Sequence, residues 1–320
     1  LRTSILLASS ITVFSMLTLA SLALGPAGVK NPLDYIDGLG GVELYRLLRT
    51  SASIVVGASL AVSGASLQQA LRNPLVDPYL LGISTGASLA VALSLLLGLA
   101  GPLGIGSAAL AGGLAAFLLV LATARLAGMT GSGLIIVGVA YSYLFGSLTT
   151  LLVLSFPDKL TGALYWIFGS VAYVDRGILA TAAGGLALAT LYLAASSKAL
   201  EALSLGEEAA RGLGIGVERL RAGVATASLV AVAASVALAG PVGFIGLTAP
   251  WIARLLGAAR FQHILVASAP MGAGLALASD ILARTLASPA ELPLTPIASL
   301  IGVPILVYAA VERWRGVEAL

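Results

Sequence analysis

Long apolar runs recur along this 320-residue chain, and no fold that leaves them in water is open to it. They read as ten candidate membrane spans, near 5–24, 47–71, 80–99, 105–124, 134–156, 178–196, 222–239, 244–256, 264–287 and 296–311. Hydrophobic residues make up 59% of the chain and charged residues 10%, with a mean hydropathy of +1.04. An all-α polytopic membrane protein of about ten transmembrane helices is therefore expected, as a single membrane domain over residues 1–320. The runs are continuous rather than alternating, which argues against a transmembrane barrel. The 38 glycines and sparse aromatics suit helices whose backbones approach closely. The first run is longer than the apolar core of a secretory signal and is read as a retained span. Residues 157–176, with Lys159, Trp166 and Tyr173, read as an interfacial segment or half-helix rather than a span.

Between the sixth and seventh runs lies the most polar stretch, LSLGEEAARGLGIGVERLR, residues 203–221. Ser204 followed by Glu207 has the spacing of a capping box, so a helix is expected to start there with Glu207 and Arg211 paired one turn apart. Gly212 and Gly214 stop it, and a second helix starts near Gly216 and runs into the next apolar segment. Two short charged helices joined by a glycine turn form either a docking surface or a solvated connector. An even span count puts both termini on one side. If that side is cytoplasmic, it holds Arg2, Arg72, Arg125, Lys198, Arg211, Arg219, Arg221, Arg254, Arg260, Arg313 and Arg315, eleven of the 17 basic residues. The positive-inside rule then makes 203–221 cytoplasmic in a multi-pass cell-membrane protein. Residues 58–74 also align with 234–250 as a weak repeat, pairing Gly64 with Gly240 and Pro74 with Pro250; an offset of five spans would make the repeats inverted.

Several chemistries are excluded or disfavoured. No cysteine is present, which removes disulfides and thiol catalysis, and His263 is the single histidine, so a histidine metal site cannot form. No G-x-x-x-x-G-K-S/T motif occurs, so any nucleotide must be bound by a different chain. A net charge of +3, with basic residues dispersed between spans, gives no nucleic-acid patch.

Five blocks carry a family resemblance: LYRLLRT before the second span, SGASLQQALRNPLVDPYLLGISTGASLA after it, LGEEAARGLGIGVERLR, GPVGFIGLTAPWIARLLG, and SDILARTLASPAELP near the end. In this order, over about residues 44–315, the chain resembles the FecCD-like permeases of type II ATP-binding-cassette importers for ferric siderophores, haem and cobalamin. The resemblance implies the type II importer permease fold and a homodimeric pore. It further implies two cytoplasmic ATPase subunits that carry the ATP and magnesium, an extracytoplasmic substrate-binding protein, and no cofactor on this chain.

In residues, the resemblance implies ATPase coupling by Ser204, Leu205, Gly206, Glu207, Glu208, Arg211 and Leu213. Arg46, Arg49 and Arg284 would receive glutamates of the binding protein, although Asp280 stands one turn from Arg284 as a rival partner and headgroup snorkelling is open to Arg46 and Arg49. Met129, Thr130, Gly131, Ser132 and Gly133 match the cytoplasmic gate, where Thr130 or Ser132 is also suited to capping span five. Asn73, Pro74, Asp77 and Pro78 read as a helix stop with Asp77 capping the next element, and Gly240, Pro241, Gly243 and Gly246 as broken backbone held inside protein or lining a cavity. Two positions depart from the family pattern: Trp251 replaces a histidine after Pro250, and Thr295-Pro296 replaces a glycine after the ELP motif. The rival class is an ion-coupled secondary carrier, which needs an ionisable residue within a span; Asp280 is the candidate.

Overall fold

The computed structural model describes residues 2–25, 28–29, 35, 40–99, 102–129, 132–160 and 166–318. Among them are thirteen α-helices and no strand. They are α1 (Arg2–Ala23), α2 (Gly41–Ala70), α3 (Ile83–Leu96), α4 (Pro102–Leu126), α5 (Ser132–Ser155), α6 (Pro157–Leu160) and α7 (Arg176–Ala195). They continue with α8 (Ser197–Leu203), α9 (Glu207–Gly212), α10 (Val217–Ala239), α11 (Ile245–Leu255), α12 (Phe261–Thr285) and α13 (Leu294–Glu318). Seven are long and apolar enough to cross a membrane. Two shorter apolar helices join them, α1 through its part Leu7–Ala23 and α3, so the expected count of about ten is approximate; α11, the eighth span expected, is 11 residues long.

Helix α2 is the axis of the molecule. It packs against α12, α10, α11 and α7, and its apolar window is 83% buried, against 17% for α5 and α7. Small residues make this possible: a methyl group at Gly57 would run into the Gly272 carbonyl of α12, and one at Gly64 into the Gly246 carbonyl of α11. Around this axis α3 packs between α4 and α5, α7 lies on α10, and α1 lies on α12. The 30 residues of α2 span about 45 Å at 1.5 Å per residue, so one straight element joins the two ends of the fold.

The backbone breaks where glycine, proline and asparagine concentrate. After α2, Asn73 accepts from Leu75 N–H through its side chain, and Asp77 caps a 3-10 turn, Pro78–Leu81, by accepting from Tyr79 N–H. After α10 the chain leaves the helix at Gly240 (φ +67°) and re-enters at Phe244 (φ +70°) to start α11. Protein groups satisfy this break: Val242 N–H donates to the Tyr79 hydroxyl at 2.8 Å, Gly243 N–H donates to Thr295 Oγ1 at 3.2 Å, and that hydroxyl donates to the Pro241 carbonyl at 2.9 Å. Thr295, a departure from the family pattern, therefore fastens the break. Trp251, the other departure, is buried and donates its indole N–H to the Pro74 carbonyl at 2.9 Å, tying the two breaks together.

The aligned repeat positions differ in local structure. Gly64 lies inside the unbroken α2, whereas its sequence partner Gly240 ends α10. Gly82 (φ +78°) and Phe244 (φ +70°) are each the left-handed N-cap of a short helix, α3 and α11.

Candidate functional site

At one end of the α2 axis, residues 197–221 form a compact charged hairpin. Helix α8 ends at Leu203, and Ser204 turns back to donate its hydroxyl to the Glu201 carbonyl at 2.6 Å. The expected capping box does not form. Gly206, at φ +123°, occupies the N-cap of α9 instead, and Ser204 is drawn into closing the helix before it. Glu207 and Glu208 then occupy the first turn of α9, where the helix dipole favours carboxylates, and Arg211 its last. Gly214 (φ +79°) makes the turn into α10, which starts at Val217. A small apolar foot of Leu203, Ala210 and Val217, flanked by Ile215 and Leu220, holds the hairpin together.

Above that foot, Glu207 and Glu218 share two arginines. Arg221 is ion-paired to Glu207 and lies 3.5 Å from Glu218; Arg211 lies 3.7 Å from Glu207 and 3.9 Å from Glu218. The bonded Arg221 guanidinium holds the Glu207 carboxyl below the usual carboxylate range. Outward, the hairpin offers two large apolar side chains, Leu205 at 73% and Leu213 at 66% exposure, with Glu208 and Arg211 exposed between them. All seven residues expected to couple an ATPase thus come together on this one hairpin. Apolar knobs among charges, on a rigid and anchored turn, suit insertion into a cleft of a soluble partner.

The three arginines expected to dock a binding protein also come together, at the other end of α2, but they face inward. Their side chains are 1–2% exposed. Arg46 donates to the Leu22 and Ala23 carbonyls at 3.2 and 2.7 Å, ending α1, and to the Gly28 carbonyl at 2.9 Å. Arg49 grips Asp280 at 2.9 Å and both oxygens of Glu291 at 2.7 and 3.0 Å, and donates to the Tyr45 hydroxyl at 2.7 Å. Arg284 donates to the carbonyl and hydroxyl of Ser21 at 2.9 and 2.8 Å and lies 3.4 Å from Asp280. The rival pairing of Arg284 with Asp280 is present, and all three guanidiniums have partners within the chain. Desolvated guanidiniums take the strongest acceptors within reach, which are carboxylates and helix-end carbonyls of the same chain. Spacing pointed to the Asp280–Arg284 neighbourhood; Glu291, across a loop, carried no sequence signal.

Of the expected gate, Met129 is 44% exposed just beyond α4 and its Sδ approaches Gly133 of α5. Thr130 and Gly131 lie outside the described residues, and Ser132 begins α5. A feature the sequence reading passed over is a groove of about 570 Å³ along the outer face of α5, lined by Ser142, Tyr143, Gly146, Ser147, Thr150 and Leu151. Hydroxyls at helical spacing were its signal, lost in a run read only for hydropathy. No metal-binding cluster of His, Asp and Glu exists among the described residues.

Comparison with known proteins decides the family, because the model for the FecCD transport family matches residues 10–312. The chain belongs to the FecCD transport family. It is similar to the uncharacterized ABC transporter permease protein YvrB of Bacillus subtilis, 35% identical over 86% of this chain and 80% of that one. It is also similar to the Fe(3+)-citrate import system permease YfmD of the same organism, at 36% over 84% of this chain and 80% of that one. The vitamin B12 import system permease BtuC of Vibrio cholerae is 37% identical over 84% of this chain and 82% of its own. Among solved structures, an inward-facing transporter assigned to the metal-chelate ABC type superposes with a TM-score of 0.85 at 29% identity, covering 96% of this chain and 98% of that one. This FecCD chain is thus an all-helical, multi-pass permease subunit of the type II importer class, a transport component rather than an enzyme.

Proposed function

We propose that this chain forms, as a homodimer, the translocation pore of an importer for a metal chelate such as a ferric siderophore, haem or cobalamin. Two ATPase subunits engage the hairpin at 203–221 from the cytoplasm, and a substrate-binding protein delivers cargo to the opposite face. Both chain termini lie on the cytoplasmic side with the hairpin. The observation that carries the reading is the hairpin itself: Leu205 and Leu213 exposed on a turn braced by four charged side chains and anchored by its own apolar foot. A merely solvated connector has no use for two exposed leucines on a braced turn. The open, uncharged and largely apolar face of α5 suits a wall that lets cargo slide without holding it, so selectivity rests with the binding protein. The gate is proposed at Met129 and the start of α5, where two copies can close on a shared axis.

The ion-coupled alternative loses its candidate, because Asp280 is ion-paired to both Arg49 and Arg284 and is not free to carry an ion through a cycle. The test is ATP hydrolysis by the chain co-expressed with its ATPase in lipid discs, with binding protein loaded in turn with ferric citrate, a hydroxamate siderophore, haem and cobalamin. Stimulation by one loaded form is the expected result. A folded chain that neither retains nor stimulates an ATPase overturns the proposal.

A further inference from the structure

Arg221 joins the hairpin to the central helix. It stands in the second turn of α10 with an 11% exposed side chain, and each part of its guanidinium is used. Nε donates to the Ala70 carbonyl at 3.1 Å, Nη2 is bonded to Glu207 of α9, and Nη1 lies 3.5 Å from Glu218. Ala70 is the last residue of α2, and its carbonyl is one of the four that a helix leaves without an internal partner. A guanidinium there also complements the negative end of the helix dipole. A second bond ties the same helix end to the segment leading into the hairpin: Gln69 Nε2 donates to the Leu200 carbonyl of α8 at 2.9 Å. The foot of α2 and the hairpin are thus fastened by directional bonds rather than by apolar contact alone.

We infer that Arg221 is the positioning residue through which movement of the hairpin is passed to α2, so that hairpin and axis move as one body when the ATPases close. The inference rests on the ATPase-docking reading of the hairpin. Arg221 itself turns inward, and of the seven residues read as docking it bonds Glu207. Because α2 runs unbroken for 30 residues to Arg46 and Arg49, a displacement at Ala70 is delivered to the far end of the fold without a joint in between. Lysine cannot replace the device fully, since one ammonium cannot reach the Glu207 carboxylate and the Ala70 carbonyl with a planar fork.

The absence of cysteine allows a direct test with spin labels at Ala209→Cys on α9 and Leu75→Cys just beyond α2, both exposed positions. Leu75 reports on α2 because Gln68 of that helix holds the adjacent Val76 carbonyl at 3.2 Å. Distances are measured in the full transporter in lipid discs, without nucleotide and with ATP, magnesium and vanadate. With Arg221 intact the distance stays constant. In Arg221→Ala the distance shifts by about 2 Å or more on adding nucleotide, the scale of helix displacement in such switches. Arg221→Lys falls between, and supplies the comparison if the alanine variant does not fold. A distance that stays constant in both variants overturns the inference, as does loss of the ATPase from a folded Arg221→Ala chain, which would make Arg221 part of the docking face. Failure of the unsubstituted chain to hold the ATPase would instead refute the docking reading.

Discussion

Arg49 is held by two carboxylates from different parts of the chain, Asp280 on α12 and Glu291 in the loop before α13. Removing one partner of such a buried set leaves the others charged and unpaired. Arg49→Ala is expected to destabilise the folded chain by about 3–5 kcal/mol, visible as a lowered unfolding midpoint in detergent. Adding Asp280→Asn should recover part of the loss, because it removes the orphaned charge. At the hairpin the equivalent question is one of pH. Arg221 depresses the Glu207 carboxyl, so the pair's contribution is fully present above the ordinary carboxylate range and is lost as pH falls through the depressed value. Hydrogen exchange over 207–221 should therefore remain protected down to the usual carboxylate range and open only below it. Glu207→Gln should already be less protected at pH 7, with a flatter pH profile; an unchanged profile would remove the pair from the hairpin's stability.

At the scale of elements, α2 depends on close crossings rather than on large side chains. Gly64→Leu would drive a side chain into the Gly246 carbonyl and push α11 away, so the variant should lose the folded monodisperse peak on size-exclusion chromatography, while Gly184→Leu on the open face of α7 should not. These crossings also mark what could be read in the chain beforehand. The spans, the stop at Asn73–Pro78 and the break at Gly240–Phe244 were legible, because hydropathy and backbone-permissive residues act locally. The capping box was misread, since Ser204 has an equally near acceptor in Glu201 and spacing alone does not choose between them. The Asp280–Arg284 pair was legible from its one-turn spacing, whereas the bonds to Ser21 and Glu291 were not, because only the folded packing brings those residues near.

For the whole molecule, the decisive property is which end faces which compartment. Helix α7 (Arg176–Ala195) separates the segment around Tyr173, which is 95% exposed, from the hairpin carrying Leu205, which is 73% exposed. One span lies between them, so the two positions must open to opposite sides. In the proposed orientation, which follows the excess of arginine and lysine, the hairpin side is cytoplasmic. In a chain without cysteine, Tyr173→Cys should react with a membrane-impermeant maleimide in intact cells, whereas Leu205→Cys should react only after permeabilisation. The same pair bears on assembly. If the ATPase docks as proposed, its co-expression should shield Leu205→Cys even in permeabilised cells and leave Tyr173→Cys reactive. Labelling of both positions in intact cells would mean that α7 does not cross the membrane. Labelling of Leu205→Cys alone would invert the whole permease, placing the hairpin where no ATP-driven partner can reach it.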